Sequence, residues 1–314
     1  MYCYSISVLE LSKQFNNYMI DFTHQKYKEL LMSVKSNGYD FQTYEKYLNS
    51  PNNRTVILKH DIDKNPSNAL MMARIEYSLG IKASYYFKVS ENVIKSTIIA
   101  KIADLRHEIG YHYENMDHCN GNIEKAINDF EINLAKIRRL YPVKTICMHG
   151  SPMSRHDNRD LWKKYDYQDF GIIADPYFDI DLSEVFYLTD TGRRWDGDKV
   201  IVRDKVTTID VTSRRSESGR QKKVSEINKT KIGVRKKTMN ERLGFKFRNT
   251  WDIIEAVKNG LLPDKIMLNI HPQRWTDKPL PWVKELVWQN VKNLVKKYFF
   301  VSRKALRVHG DTKG

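Results

Sequence analysis

Apolar runs of strand length alternate with segments of helical periodicity along most of this chain, and that alternation limits the folds it can adopt. The predicted strands cover residues 55–58, 81–89, 144–148, 171–174, 185–189, 200–202 and 265–270, and the predicted helices include 26–36, 97–106, 251–258 and 282–297. Alternating strands and helices favour a parallel sheet covered by helices, as either a barrel or an open doubly wound sheet. The predicted fold class is therefore α/β.

The polar residues that end the predicted strands separate these two architectures. They are Asp61, Asp63, His112, His149, Asp190 and His271. Barrel enzymes build their active sites at the C-terminal ends of several strands, whereas an open sheet usually carries a glycine-rich phosphate loop after its first strand. Because the chain has no G-x-G-x-x-G motif, we predict a barrel with an active site at these strand ends.

Length and composition exclude several classes of protein. With 314 residues, of which 41% are hydrophobic, the chain can bury a substantial core, so wholesale disorder is excluded. No apolar run is long enough to span a membrane, and Glu10 and Lys13 interrupt the N-terminal segment, so we expect neither a secretory signal nor export from the cytoplasm. Three cysteines without a C-x-x-C pair indicate neither a disulfide framework nor a cysteine zinc site.

The net charge of +15 is concentrated in residues 213–248, which hold 13 basic and 3 acidic residues. This segment is poor in large apolar side chains, so we interpret it as a flexible basic insertion in a single domain. The domain is predicted to span residues 51–300, after a helical lead-in over residues 1–50 and before a tail over residues 301–314. A chain without internal repeats or Pro-rich linkers is consistent with that division.

A basic segment of this kind favours anionic partners. Phosphorylated ligands and an anionic membrane surface are both partners that a positive charge attracts. The alternative interpretation is a charged surface loop that keeps the protein in solution. We do not expect nucleic acid as a partner, because only Phe245 and Phe247, at the end of the segment, could stack on bases.

Two carboxylates follow the first predicted strand, residues 55–58. Asp61 and Asp63 are two residues apart, so their side chains can point to the same side of an extended strand end. A divalent metal resolves the repulsion between them, since one carboxylate can ligate the metal while the other accepts a proton from bound water. The alternative is an Asx-type turn that caps the next helix near Ser67.

Histidines at other strand ends supply candidate metal ligands and a candidate acid. Zinc sites commonly combine two histidines with one carboxylate. His112, which is followed closely by Glu114, and His149 are candidate histidine ligands for such a site. Asp190 is followed by Arg193, Arg194 and Trp195, a combination suited to an anionic or sugar ligand, although an ordinary hairpin turn also fits. His271 is fixed by the proline that follows it and could act as a general acid.

The order of these motifs over residues 55–275 resembles that of the NodB-type polysaccharide deacetylases, carbohydrate esterase family four. Lys59-His-Asp-Ile-Asp63 is similar to the first motif of the family and His107-Glu-Ile-Gly-Tyr-His112 to the second, and Leu268-Asn-Ile-His271 is similar to the fifth. The resemblance implies an irregular seven-stranded (β/α)7 barrel and a divalent metal, with zinc as the expected ion. It also implies that Asp61 is the base, Asp63 and His112 are ligands, His271 is the acid and Asp190 orients that acid.

The chain departs from the family at its second metal histidine, because Met116 stands at that position. Candidates for the third ligand are His149, Glu114 and His118, and we favour His149 because the third motif of the family approaches the same rim. Substrate contacts are expected from Glu114, Arg193, Trp195 and Trp275.

The resemblance implies hydrolysis of an acyl group, with N-acetyl expected, from an amino sugar in surface polysaccharide synthesis. A cytoplasmic carbohydrate substrate linked to a nucleotide or to polyprenyl phosphate would suit the basic segment and a peripheral contact with an anionic membrane. Two alternatives stay open. One is a glycosyltransferase that uses Asp61 and Asp63 to hold a metal-bound sugar nucleotide, and the other is a degenerate, non-catalytic deacetylase that binds carbohydrate or polyanions.

Overall fold

The computed structural model describes residues 20–150, 154–195 and 237–295. Its strands are β1 (Asp40–Gln42), β2 (Thr55–Ile62), β3 (Ser84–Phe87), β4 (Glu108–Tyr113), β5 (Ile146–Met148), β6 (Phe186–Thr189) and β7 (Lys265–Ile270). The α-helices are His24–Ser36, Tyr44–Asn49, Pro66–Ser78, Ser96–Asp104, Asn115–His118, Ile123–Arg138, Pro176–Asp179, Met239–Leu243, Thr250–Lys258 and Pro279–Val295. Short 3-10 helices cover Asn158–Lys163, Tyr167–Phe170 and Pro272–Arg274.

All of these strands belong to one parallel sheet in the order β5-β4-β3-β2-β7-β6. Strand β1 pairs with the first half of β2, and β3 pairs with its second half along the same edge. The predicted α/β class and parallel sheet are confirmed. Within the described residues no pairing joins β5 to β6, so closure into a seven-stranded barrel stays a prediction.

The sheet is strongly curled. Strands β2 and β5 are three places apart, which in a flat sheet corresponds to about 14 Å. The Nζ atom of Lys59 in β2 nevertheless lies 3.0 Å from Sγ of Cys147 in β5. Both side chains are buried inside the curve, so the sheet forms at least half of a barrel with a polar interior.

The convex face of the sheet is covered by helices through an apolar core that includes one buried polar cluster. Glu76, in helix Pro66–Ser78, accepts hydrogen bonds from the hydroxyls of Tyr27 and Tyr85 at 2.5 and 2.8 Å. Its other close neighbour is His60 of β2, whose Nε2 lies 2.8 Å from Glu76 Oε1. This cluster ties β2 and β3 to two helices of the outer layer.

Several sequence predictions need correction. Residues 171–174 are not a strand, because the 3-10 helix Tyr167–Phe170 ends in a left-handed Gly171 and only Ala174 forms an isolated bridge, to Thr145. The predicted strand over residues 81–89 is shortened to β3, and β1 was not predicted at all. The predicted strand over residues 200–202 lies outside the described residues.

The end of the predicted basic insertion is part of the folded structure. Helix Met239–Leu243 begins with a capping box between Thr238 and Glu241. Phe245 and Phe247 stack on each other at 5.5 Å and meet the ring of Phe186 in β6 edge-on. The two aromatic rings considered for base stacking therefore serve the core, and residues 237–248 of the predicted insertion belong to the folded domain. No helix in the described ranges is long and apolar enough to cross a membrane.

Candidate metal centre and active site

Asp63, His112 and His149 converge at the C-terminal mouth of the curled sheet. Asp63 follows β2, His112 lies in β4 and His149 follows β5. Oδ1 of Asp63 lies 3.4 Å from Nε2 of His112 and 3.6 Å from Nε2 of His149, and one potential ligand atom from each residue falls within 4.8 Å of the others. The parallel strands thus bring together three side chains separated by up to 86 positions in the sequence.

Each imidazole has a polar neighbour behind it, through a hydrogen bond at His112 and an ion-pair contact at His149. Nδ1 of His112 lies 2.9 Å from the backbone carbonyl of Cys147, which requires a proton on Nδ1 and directs Nε2 toward Asp63. Nδ1 of His149 lies 2.8 Å from Oε2 of Glu114. A carbonyl or carboxylate behind the distal nitrogen is the usual support of a metal-ligating histidine.

The residues present fit a divalent cation. Oδ1 of Asp63 is buried and accepts no hydrogen bond from any residue in the described part of the chain, while Oδ2 accepts one from Gln273 at 2.8 Å. Burial opposes ionisation of Asp63, but His149 and His112 outweigh it and hold the pKa of this carboxyl well below its usual range. One carboxylate and two imidazoles with a free coordination position form a typical catalytic zinc set.

Glu114 lies behind this ligand set, and its carboxylate is surrounded by basic side chains. It contacts Lys88, His149 and His118, whose nitrogens lie 2.5, 2.8 and 3.1 Å from its carboxylate oxygens. Although burial opposes ionisation, these neighbours lower the pKa of Glu114 strongly. Glu114 therefore lies behind the ligand set, and the substrate contact predicted for it stays a prediction.

Asp61 forms a buried ion pair that sequence reasoning missed. Nζ of Lys59 lies 2.6 and 2.8 Å from the two carboxylate oxygens of Asp61. Burial alone would raise the pKa of Asp61, but the charge of Lys59 outweighs burial and lowers it. Burial alone would lower the pKa of Lys59, but the charge of Asp61 outweighs burial and raises it. The signal was present in the sequence, because residues two apart on a buried strand share a face.

A second group, Asp61, His112 and Cys147, also lies within 4.8 Å and shares His112 with the first. The Lys59 ammonium already contacts Asp61 and, at 3.0 Å, Sγ of Cys147, so a cation placed there would face a fixed positive charge. Burial and Asp61 also raise the pKa of the Cys147 thiol well above its ordinary value, which makes it a poor ligand. The group around Asp63 is the better site.

Asp190 and His271 form a pair on the other side of the mouth. Asp190 Oδ1 lies 2.6 Å from Nδ1 of His271, and Oδ2 accepts the backbone N–H of the same residue at 3.0 Å. The Arg274 guanidinium and the Trp275 indole donate to the same carboxylate at 2.7 and 2.8 Å. Burial opposes ionisation of Asp190, yet Arg274 and His271 hold its pKa below the usual range.

The remaining predicted substrate contacts lie in the core. Trp275 is fully buried, and Trp195 is buried beside it with its indole donating to Thr250 at 3.0 Å. The guanidinium of Arg193 donates to the backbone carbonyls of Trp282 and Asp21. These three residues therefore pack and brace the loop after β6, and the geometry offers no surface on them for a sugar.

Two further positions bear on the third ligand: Met116, which stands in place of the expected histidine, and His118, the remaining candidate. Met116 is buried in the core. His118 is about half exposed and lies beside Glu114 and Asp129 instead of Asp63. Of the three candidates, His149 is the one placed next to Asp63 and His112.

Comparisons with known proteins are sparse. No protein-family model matches the chain, and no curated protein matches it. Among solved structures, the chain is similar to the Xyl-CE4 domain of a multidomain xylanase from the hindgut metagenome of Trinervitermes trinervoides. The likeness covers 77% of this chain and 85% of that chain at 11% identity, with a TM-score of 0.36. A similarity this low establishes neither a common fold nor a shared activity, so the site is judged on its own geometry.

Proposed function

We propose that the protein is a metal-dependent hydrolase that removes an acyl group, an N-acetyl group in the simplest case, from an amino sugar. The observation that supports this proposal is the convergence of Asp63, His112 and His149 on one point at the mouth that also holds Asp61 and the Asp190–His271 pair. Metal ligands, a base and an acid together supply one established route to hydrolysis of an unactivated amide.

Asp63, His112 and His149 would hold the cation, for which zinc suits the ligand types. A bound zinc ion would polarise the acyl carbonyl and lower the pKa of a coordinated water. Asp61 is ionised because Lys59 stabilises its negative charge, so it can accept a proton. Its pairing with Lys59 makes it a weak base, which suits proton removal from a water that is already acidified.

His271 would donate a proton to the departing amine. Its Nδ1 is held by Asp190, so Nε2 is the nitrogen left to face the reacting group. The buried Asp190 carboxylate orients the imidazole, and Arg274 keeps that carboxylate ionised and fixed in place. The arrangement is that of an acid oriented by a carboxylate.

The substrate we propose is an intracellular carbohydrate precursor of surface polysaccharides, linked to a nucleotide or to polyprenyl phosphate. The support for a phosphorylated substrate is the charge of the chain, whose net value of +15 attracts anionic ligands. Residues 213–236 contribute to that charge but lie outside the described residues.

The proposal is tested by incubating the zinc-loaded protein with a nucleotide-linked N-acetyl sugar and analysing the products. We expect free acetate together with a nucleotide sugar that bears a free amine, and loss of both products in Asp61→Asn and His271→Asn. Transfer of the sugar to an acceptor would support the glycosyltransferase instead. Binding of the sugar without either product in the parent protein would support a non-catalytic carbohydrate-binding role.

A further inference from the structure

The long helix Pro279–Val295 is attached to the rest of the protein largely by its polar side. Asn293 donates a hydrogen bond to the carbonyl of Gly192 at 3.0 Å, and the indole of Trp282 donates to the carbonyl of Asp21 at 2.7 Å. Gln289 is buried on the same side and donates to Glu285 at 2.6 Å. Polar groups of this helix therefore face the protein.

The opposite side of the helix is apolar and exposed. The residues that form it, which we call the apolar stripe, are Leu280, Val283, Val287, Trp288, Val291 and Leu294, with exposed fractions between 47% and 84%. Spacings of three and four residues put these side chains on one helical face. An ordinary surface helix turns its apolar face to the core, so this helix is inverted, and a contiguous exposed apolar patch marks a docking surface.

Charge indicates what covers the stripe. From residue 278 to residue 308 the sequence has eight lysines and arginines and one acidic residue, Glu285, which lies on the side of the helix that faces the protein. A second copy docked stripe to stripe would bring two basic segments together and would be repelled. An anionic surface would instead be attracted, and Trp288 beside Lys292, whose Nζ lies 5.1 Å from the ring centroid, suits a lipid headgroup region.

We propose that the apolar stripe docks on an anionic lipid surface, with the helix lying in the plane of the interface. This inference does not depend on the proposed hydrolase activity. The helix also holds the loop after β6 through Gly192, two residues from Asp190, so a docked helix would place the candidate active site beside the membrane. That position would suit a lipid-linked substrate.

The test uses the full chain with phosphatidylcholine vesicles and with vesicles that also contain phosphatidylglycerol. We expect sedimentation with the anionic vesicles, weakening with salt, and a loss of at least roughly tenfold in affinity in the double variant Val287→Glu and Val291→Glu. Ile132→Glu is the matched control, because Ile132 is 56% exposed on another helix and Val287 is 57% exposed. This control should bind like the parent.

Two measurements separate loss of the stripe from loss of the fold. Circular dichroism should show that the double variant is folded, and a fluorophore at Val291→Cys should report an apolar environment on vesicle binding while one at Ile132→Cys should not. Vesicle binding unchanged by the double variant would overturn the proposal and assign binding to another basic segment. Absence of vesicle binding would also overturn the proposal. In that case, a dimer that the double variant disrupts would identify a second copy as the occupant of the stripe. Vesicle binding that appears only after removal of residues 1–19 would identify that segment as the occupant.

Discussion

Lys59 and Asp61 form an ion pair inside the curled sheet, with Nζ 2.6 and 2.8 Å from the two carboxylate oxygens. Both side chains are almost completely buried, so each charge has lost its water and depends on the other. Removing one partner of a buried pair leaves the remaining charge uncompensated. The pair therefore links the stability of the fold to the protonation state of the proposed base.

Lys59→Met is expected to destabilise the protein by about 3–5 kcal/mol, because Asp61 would remain buried without a counter-charge. Urea unfolding at pH 7 measures the effect. Lys144→Met is the control, since Lys144 pairs with Glu45 at 2.7 Å on the surface, where solvent screens ion pairs and they contribute little to stability. Equal losses in the two variants would contradict a buried pair.

Asp190→Asn is expected to lower kcat by roughly 10²–10⁴ with a smaller change in KM, because the amide cannot stabilise a protonated His271. Steady-state deacetylation of a nucleotide-linked N-acetyl sugar measures this effect. Asp129→Asn changes a carboxylate beside His118, outside the proposed site, and should leave kcat unchanged. A fully active Asp190→Asn variant would contradict the role of Asp190 in supporting His271.

Glu76 makes stability depend on pH. Burial opposes its ionisation, but His60 lowers the pKa of Glu76 in the folded protein below its ordinary value, with His107 and Tyr27 acting in the same direction. The stabilisation is therefore complete above the unfolded pKa and is lost as pH falls through the folded pKa. Glu76→Gln should cost roughly 1.5–3 kcal/mol at pH 7 and less towards pH 4, measured by unfolding at both pH values. A difference that grows on acidification would contradict this account.

Gly110 lies where β4 passes the ring of Tyr86. A Cβ atom at this position would lie 2.4 Å from Cδ1 of Tyr86 and 3.0 Å from the carbonyl oxygen of Thr145. Gly110→Ala should therefore destabilise the fold by about 1–3 kcal/mol through overpacking. Thermal unfolding measures this change, and an unaltered midpoint would show that the interior tolerates the extra methyl group.

Much of the architecture could be predicted because strand ends are marked in the sequence. Asp61, Asp63 and His112 follow or end apolar runs, and their joint position at one mouth follows from the parallel sheet. Residues 171–174 could not be assigned in this way, because a short apolar run does not distinguish a strand from a turn with a single bridge.

The burial of several side chains around the site could not be predicted from the sequence. Arginine and tryptophan after a polar strand end suggest a ligand, yet Arg193 and Trp275 are used inside the protein to brace Asp190 and the loop that carries it. Lys59 was overlooked because a lysine in a strand is ordinarily exposed. The spacing of Lys59 and Asp61 puts them on one face of the strand, and the curl of the sheet, which brings β2 to β5, encloses the ammonium.

The most direct test of the account is the metal content of the purified protein after incubation with zinc and removal of excess ion. We predict about one zinc per chain in the parent and in His118→Ala, a histidine outside the ligand set, and loss of the ion in Asp63→Ala, His112→Ala and His149→Ala. Each variant should be checked for folding by circular dichroism. A parent protein that retains no zinc, or folded Asp63→Ala and His112→Ala variants that retain it, would contradict the proposed site.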